Sequence, residues 1–105
     1  MENALVDFEK IIWESPASGI RYKSFIKGNQ RIRLVEFSEG FEEVDWCIKG
    51  HAGYVLEGSF ALDFKCRLER FVKGNILFIP EGPEYGHKAI LSKGEKVLLL
   101  LFEVI

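Results

Sequence analysis

The chain consists of short apolar runs separated by turn residues, with little of the three-to-four-residue periodicity of amphipathic helices. Runs of this kind, spaced by about 8 to 12 residues, are typical of an all-β sandwich or barrel. The predicted strands are 11–13, 22–27, 31–37, 54–56, 60–66, 67–72, 76–79, 87–91 and 97–104. Only residues 1–10 are expected to form a short helix. Turns are predicted between the strands, including one at Glu57 and Gly58.

Within the predicted strands, alternating side chains separate a core face from a wet face. Phe60, Leu62 and Phe64 share one face and are expected to point inward. The terminal run 97–102 is apolar on both faces, which is unusual for an antiparallel strand with one wet face. Its outer face needs a cover: the N-terminal segment, the edge of a second sheet or an identical subunit. We favour the identical subunit and predict a homodimer, the alternative being a central strand covered within the monomer.

Length and charge narrow the classes of partner. The 105 residues suffice for one domain, 1–105, and hold 14 Lys and Arg against 16 Asp and Glu, a net charge of −2. Because the chain has no excess of basic residues, neither nucleic acid nor an anionic membrane surface is an expected partner. No apolar run approaches the ~20 residues of a membrane span, and no signal sequence is recognised, so a cytoplasmic protein is expected. In that compartment Cys47 and Cys66 are expected to be free thiols.

Two segments carry a family resemblance. Gly74 is followed, after five residues that include the apolar strand 76–79, by Pro80-Glu81-Gly82, and Gly40 lies upstream of the run Gly53-Tyr54-Val55-Leu56-Glu57-Gly58. They resemble the two motifs of the cupins, G-x5-H-x-H-x3,4-E-x6-G and G-x5-P-x-G-x2-H-x3-N. The resemblance covers about 37–91 and implies a cupin-like double-stranded β-helix, a jelly-roll barrel, in which 53–58 is expected to be the hairpin closing the first motif.

The family's metal ligands are replaced in this chain. In metal-binding cupins, two histidines and a glutamate of the first motif and the histidine of the second hold one divalent metal inside the barrel. Counting back from Gly58, the glutamate position falls on His51, the second histidine on Cys47 and the first on Asp45. Only four residues separate Gly40 from Asp45, so the register differs there by one. The second-motif histidine position holds Tyr85, with His87 two residues further, and Ala89 replaces the asparagine.

A substituted metal site is one hypothesis. Residues two apart on a strand share a face, which would bring Asp45 beside Cys47 and Tyr85 beside His87. A set of Asp45, Cys47, His51 and His87 would suit Zn²⁺ or Fe²⁺ better than Mg²⁺ or Ca²⁺. The alternative is a metal-free polar pocket. The sequence favours this alternative, because a metal site would require both histidines to converge and because Cys is commonly buried as a small hydrophobe.

With or without metal, a small-molecule ligand is expected in the barrel. The predicted ligand-binding residues are Trp46, Cys47, His51, Tyr54, Tyr85 and His87. Trp46 is alternatively a residue of the rim, and Tyr85 an ordinary wall residue. The acidic cluster Glu39, Glu42 and Glu43 is predicted to be a solvated loop.

Arg31 and Arg33 alternate with apolar residues and are predicted to lie on the wet face of a strand, a role in holding an anionic ligand being the weaker interpretation.

Three functions remain open at the level of sequence. The first is a small-molecule binding module. The second is a metal-dependent enzyme of the oxygenase or isomerase type that the cupin resemblance implies. The third is a structural or interaction protein whose barrel is filled by its own side chains. Whether the protein is an enzyme is open, because a fold alone does not determine a function.

Overall fold

The computed structural model describes residues 4–105 and contains almost only strands. The strands are β1 Glu14–Ala17, β2 Ile20–Lys27, β3 Gln30–Ser38, β4 His51–Asp63, β5 Leu68–Val72, β6 Ile76–Ile79, β7 Lys88–Ile90 and β8 Lys96–Val104. Two single turns of 3-10 helix lie at Phe8–Lys10 and Pro83–Tyr85. The predicted all-β class is confirmed. Of the helix expected over 1–10, the first three residues lie outside the described part, and the described part holds only the turn Phe8–Lys10. None of the helices in residues 4–105 has the length and apolar character needed to span a membrane.

All strand pairs are antiparallel, and the long strand β4 belongs to both layers of the barrel. Strands β1, β2, β3, β8 and β4 follow one another in the larger sheet, and β6 pairs with the first half of β4. The second half of β4 pairs with β5 and β7. A strand that changes sheets in this way closes the two layers around one interior.

The turn predicted at Glu57 and Gly58, and with it the hairpin expected over 53–58, is wrong. The chain continues through these residues as one strand, with a register shift between Val55 and Glu57, and its pairing with β8 ends at Gly58. Gly58 has φ +80°, and a Cβ there would lie 1.9 Å from the carbonyl oxygen of Lys96. The glycine is therefore required by a bulge pressed against β8, which bends β4 from one sheet to the other.

The chain's N-terminal strand also differs from the prediction. Residues 11–13 are not a strand; β1 occupies Glu14–Ala17, most of which was expected to be a turn, and pairs with β2. The preceding segment lies against β2, where Lys23 Nζ donates a hydrogen bond to Phe8 O at 2.7 Å and the Arg21 guanidinium stacks 4.1 Å from the Trp13 ring. This segment covers the outer side of β2.

The core lies between the two layers. Val35, Val55, Phe60 and Val97 are almost completely buried at its centre. Strand β8 alternates, with Val97, Leu99, Leu101 and Glu103 directed inward and buried. Its inward row therefore ends in a buried carboxylate, which marks the polar end of an otherwise apolar interior.

The outward side chains of β8 are incompletely covered. This strand lies between β3 and β4, so its hydrogen bonds are satisfied on both sides. Leu98 and Leu100 are half-buried, but Phe102 is 49% exposed.

Both cysteines are free thiols, as expected, Cys47 half-buried and Cys66 exposed.

Candidate metal and ligand site in the barrel

The site begins with a backbone bridge between two distant segments. Cys47 and His87 exchange both main-chain hydrogen bonds, from Cys47 N to His87 O at 2.9 Å and from His87 N to Cys47 O at 3.0 Å. Directly opposed residues of an antiparallel pair place their side chains on the same face. The bridge therefore holds the thiol and the imidazole together independently of any bond between the two side chains.

His51, the first residue of β4, completes a three-residue cluster. Its Nε2 lies 3.5 Å from Cys47 Sγ, and its ring meets that of His87 edge-on with centroids 5.3 Å apart. One ligand atom from each of Cys47, His51 and His87 lies within 4.8 Å of the other two. Sulfur and imidazole nitrogen are the donors that bind Zn²⁺ and other late transition metals.

Both histidines have a protein acceptor on the Nδ1 side. His87 Nδ1 is 3.0 Å from the carbonyl oxygen of Tyr85, and His51 Nδ1 is 2.5 Å from Glu103 Oε2, a short contact that is poorly aligned as a hydrogen bond. Metal-binding histidines usually have their second nitrogen oriented by a carbonyl or carboxylate in this manner. The two rings are thus oriented with Nε2 free to face Cys47.

The three groups shift one another's pKa. Hydrogen bonds from His51 and His87 stabilise the thiolate and lower the pKa of Cys47 to about 5. Burial disfavours the charged form of His51, but the contacts with Cys47 and Glu103 outweigh it and raise its pKa to about 9. Burial likewise opposes the charged form of His87, and its bonds to Cys47 and Tyr85 raise the pKa. At neutral pH the cluster therefore contains a thiolate, the protonation state in which cysteine binds metals.

Glu103 connects this cluster to two arginines of β3. Its Oε1 accepts hydrogen bonds from Arg31 Nε at 2.9 Å and Arg33 Nε at 2.7 Å, and its Oε2 accepts one from Arg33 Nη2 at 2.8 Å. Burial would raise the pKa of this carboxyl, but the contacts with His51 and Arg33 hold it far below the usual range. The predicted wet face at Arg31 and Arg33 is wrong: both point into the barrel, because β3 pairs with β8 in a register that places Arg31 opposite Glu103.

Glu43 is a further pocket residue that sequence reasoning missed. It was expected in a solvated loop, but it is half-buried and its Oε1 accepts a 2.6 Å hydrogen bond from Ala89 N. Burial raises the pKa of its carboxyl, with the Ala89 N–H opposing the shift. No motif or spacing distinguishes Glu43 from Glu39 and Glu42, because its partner comes from a strand far along the chain.

These residues surround a cavity of about 190 Å³ inside the barrel. The polar residues gather around the cysteine and histidine cluster, whereas the remaining wall is apolar and includes three phenylalanines. The lining consists of Ile20, Arg31, Arg33, Phe37, Phe41, Glu43, Cys47, Lys49, His51, Phe60, Leu62, Leu77, Ile79, His87, Ala89, Leu99, Leu101 and Glu103. An apolar cavity with a few convergent polar groups is the usual form of a small-molecule site.

Two residues proposed from the sequence as neighbours of Cys47 lie elsewhere. Asp45 is exposed, belongs neither to the potential metal ligands nor to the cavity wall, and lies on an irregular segment rather than a strand, so strand alternation does not place it beside Cys47. Trp46 is not among the residues of the cavity wall, and the ammonium groups of Lys65 and Lys88 lie over its ring, at 5.1 and 4.5 Å.

The two tyrosines proposed for the pocket also lie outside it. Tyr54 is 40% exposed on the outer face of β4, between Leu100 and Ile76, since its neighbours Gly53 and Val55 take the inward positions. The Tyr85 side chain is 40% exposed at the outer surface, and only its carbonyl contributes, by orienting His87. Of the six residues proposed to bind ligand, Cys47, His51 and His87 line the cavity.

The sequence matches no protein-family model and no curated protein. The structure, in contrast, superimposes on several solved barrels. The polyketide cyclase RemF from Streptomyces resistomycificus has a TM-score of 0.79 at 21% identity, over 97% of this chain and 79% of that one. An RmlC-like cupin from Shewanella frigidimarina has 0.76 at 17%, over 98% and 91%. The chain has the cupin fold. KdgF from Halomonas sp. agrees, with 0.75 at 18% identity, over 98% and 94%.

Two members of the cysteine and histidine cluster lie at positions that the motif spacing predicted for ligands. Cys47 occupies the second histidine position of the first motif and His51 its glutamate position. His87, two residues beyond the second-motif position, faces the cavity in place of Tyr85. The cupin resemblance predicted from the sequence is confirmed at the level of the fold.

Proposed function

We propose that this cupin-fold protein binds a small organic molecule in the barrel cavity, beside a divalent transition metal held by Cys47, His51 and His87. The observation that carries the proposal is the convergence of three soft or borderline donors from three chain segments to within 4.8 Å. The cavity beside them is about 190 Å³ in volume and mostly apolar. Polar donors at one end of such a cavity suit an organic ligand.

The donor set fits Zn²⁺ or Fe²⁺. One thiolate and two imidazoles are ligands these ions accept, whereas Mg²⁺ and Ca²⁺ require oxygen ligands. The Nδ1 contacts of His87 with Tyr85 O and of His51 with Glu103 support the rings in the orientation that metal binding needs. These two Nδ1 contacts favour a metal site over the metal-free pocket that the sequence favoured. Three protein ligands leave a coordination position for water or ligand, as in catalytic rather than structural zinc sites.

Metal analysis of protein purified without a histidine tag tests the proposal. We expect about one equivalent of Zn or Fe per chain, lost in His51→Gln and in His87→Gln. Cobalt substitution adds a test of the sulfur ligand: a thiolate-to-cobalt charge-transfer band should appear in the wild type and in Cys66→Ser, the matched control for the other free thiol. The band should be missing in Cys47→Ser. Metal content that is absent, or unaffected by these substitutions, would contradict the proposal.

A metal-dependent enzyme is the second candidate function. The favouring observation is Glu43, a half-buried carboxyl on the cavity wall whose raised pKa suits proton transfer. Structural neighbours include proteins named as a polyketide cyclase and a sugar phosphate isomerase, so this barrel supports catalysis elsewhere. Dioxygen uptake by Fe²⁺-loaded protein with any compound found to bind the pocket, compared with His87→Gln, tests the oxygenase form. The filled-barrel alternative is disfavoured by the open cavity.

We also propose a homodimer formed through the outer face of the larger sheet. Outward residues of β3 and β8 are apolar and adjacent, with Ile32 opposite Phe102 and Leu34 opposite Leu100. Strand β6 extends this surface with Ile76 and Phe78, which are 74% and 77% exposed. A second copy is the proposed occupant.

The border of this face supports that choice. It carries charges of both signs, from Glu57, Lys73 and Lys96, so opposite charges of two copies can face each other across a two-fold axis.

The expected cytoplasmic location and the single domain 1–105 stay predictions.

A further inference from the structure

We propose that Arg31, Arg33 and Lys49 form an anion subsite at the polar end of the barrel cavity, which takes the carboxylate of a small apolar acid. All three side chains line the cavity that also contains Cys47 and His51. This inference rests on the proposed function, because it assumes that the cavity receives a small organic molecule. It adds the chemical class of that molecule.

The arginines retain hydrogen-bond donors for a ligand. Arg31 uses only Nε for Glu103, and Arg33 uses Nε and Nη2. Within residues 4–105, the terminal amino groups of Arg31 and the Nη1 of Arg33 have no hydrogen-bond acceptor. A guanidinium carries five N–H donors in a planar fork that matches a carboxylate. Glu103 holds both guanidinium groups and leaves the two terminal nitrogens of Arg31 and Nη1 of Arg33 for a ligand.

The charges around the cavity do not balance. The Glu103 side chain is only 2% exposed and faces three basic groups, Arg31, Arg33 and His51. Lys49 adds a further positive charge at the same cavity and has no ion pair within the described residues. The Cys47 thiolate offsets the charge of His51, so the remaining count is Arg31, Arg33 and Lys49 against Glu103 and Glu43. The excess is therefore positive, and its attraction for an anion is strengthened by the low dielectric of a half-closed cavity.

The rest of the cavity wall favours a ligand with an apolar portion beside its carboxylate. Phe37, Phe41, Phe60 and Leu62 line the same cavity. The volume of about 190 Å³ exceeds the roughly 150 Å³ of an apolar cavity known to hold benzene, so one ring with a carboxylate is of suitable size. A strongly hydrated dianion with no apolar surface would leave this wall unused.

Benzoate and benzamide are a matched pair of probes, because they differ in charge but hardly in shape. Their affinities are measured by titration calorimetry on protein stripped of metal with a chelator, so that a carboxylate cannot bind to metal instead. We expect saturable binding of benzoate, at least about tenfold tighter than benzamide, as charge-assisted hydrogen bonds require. Equal affinities, absence of binding by both probes, or tighter binding of phenylphosphonate than of benzoate would overturn the proposal.

Variants assign the preference to the subsite. Lys49→Gln removes a charge from an exposed side chain that folding does not need, and Arg31→Met removes one fork while Arg33 still pairs with Glu103. Each should reduce the preference for benzoate by at least about threefold, and Arg31→Lys should recover part of it. Arg21→Met is the control, since Arg21 pairs with Glu36 on the outer face and should leave the preference unchanged.

A preference unaffected by both Lys49→Gln and Arg31→Met would overturn the subsite. Metal content, measured on the same preparations before chelation, reports separately on the metal proposal. A protein without metal that still prefers benzoate through Arg31 would refute the metal centre and retain the subsite. A protein with metal but without the preference would do the reverse.

Discussion

Cys47 and His87 form an isolated antiparallel bridge, with main-chain hydrogen bonds of 2.9 and 3.0 Å in both directions. The bridge joins the segment after β3 to the segment before β7, and further hydrogen bonds hold this region together, from Gly82 N to Ile48 O and from Ala89 N to Glu43 Oε1. The thiol of Cys47 and the imidazole of His87 are therefore already adjacent in the metal-free protein. Binding to such a preorganised pair costs less conformational entropy than binding to free loops.

Metal should consequently stabilise the folded chain. A ligand that binds only the native state adds about 2.7 kcal/mol when its free concentration is a hundred times its dissociation constant. We expect the thermal midpoint of metal-free protein to rise on addition of Zn²⁺, and not to rise in His87→Gln. Differential scanning calorimetry measures both. An equal rise in the variant would indicate binding at some other place.

The thiolate and imidazolium pair sets a distinct pH dependence for metal-free protein. The pKa of Cys47 is about 5 in the fold against 9.0 in the unfolded chain, and that of His51 is about 9 against 6.5. From pH 6.5 to 9 the pair holds one proton in both states, on His51 when folded and on Cys47 when unfolded. Its contribution to stability is therefore constant in that range.

Below pH 6.5 the unfolded pair takes up a second proton, whereas the folded pair does so only near pH 5. Stability from the pair should then fall as the pH falls from 6.5 to 5. Cys47→Ser removes the lowered pKa from which this loss arises, and it also removes the largest of the contacts that raise the pKa of His51. Urea unfolding should therefore show the fall in stability between pH 6.5 and 5 in the wild type and in Cys66→Ser, and not in Cys47→Ser.

The fold was predictable because its signals are local. Alternation at Phe60 and Leu62 and the turn residues around the strands indicate a β-barrel without knowledge of long-range contacts. The error at Gly58 has a non-local cause. A glycine after Glu57 has the local signature of a turn, but the reason for this glycine is the approach of Lys96 O from β8, which no short window of sequence records.

The site divides in the same way. Motif spacing pointed to Cys47 and His51, and this spacing reflects the barrel's own strand lengths. Arg33 and Glu43 were missed because their partners, Glu103 and Ala89, come from strands whose pairing becomes visible only in the folded chain. The available signal was Glu103, a carboxylate in an apolar terminal strand, because a buried carboxylate requires a partner such as an arginine.

Glu103→Gln should therefore destabilise the protein. It leaves Arg31 and Arg33 in the barrel without their counter-charge, and we expect a loss of about 2 to 3 kcal/mol, below the cost at a fully buried pair because both arginines are partly exposed. Glu36→Gln, which weakens the outer pair with Arg21, should cost about 1 kcal/mol or less. Urea denaturation compares the two. Similar losses would contradict the special role of the interior pair.

The proposed dimer predicts a charge-sensitive outer face. Phe102→Lys, at the centre of the apolar patch, should convert a dimer of the 12.1 kDa chain into a monomer in light scattering coupled to gel filtration. Leu68→Lys is the control, because Leu68 is 66% exposed on β5 of the other sheet. A wild type that is monomeric at micromolar concentration, or a dimer that persists in Phe102→Lys, would refute this interface.

The bend in β4 is tested by two glycines with the same backbone angle. Gly58 and Gly94 have φ +80° and +78°, so alanine at either incurs the left-handed penalty of about 1 to 2 kcal/mol. A Cβ at Gly94 has no atom within 4 Å, whereas at Gly58 it would lie 1.9 Å from Lys96 O. Gly58→Ala must therefore also separate β4 from β8. We expect it to cost at least about 2 kcal/mol more than Gly94→Ala in urea unfolding, because a main-chain clash cannot be relieved by a rotamer change. Equal costs would mean that Gly58 is needed only for its backbone angle.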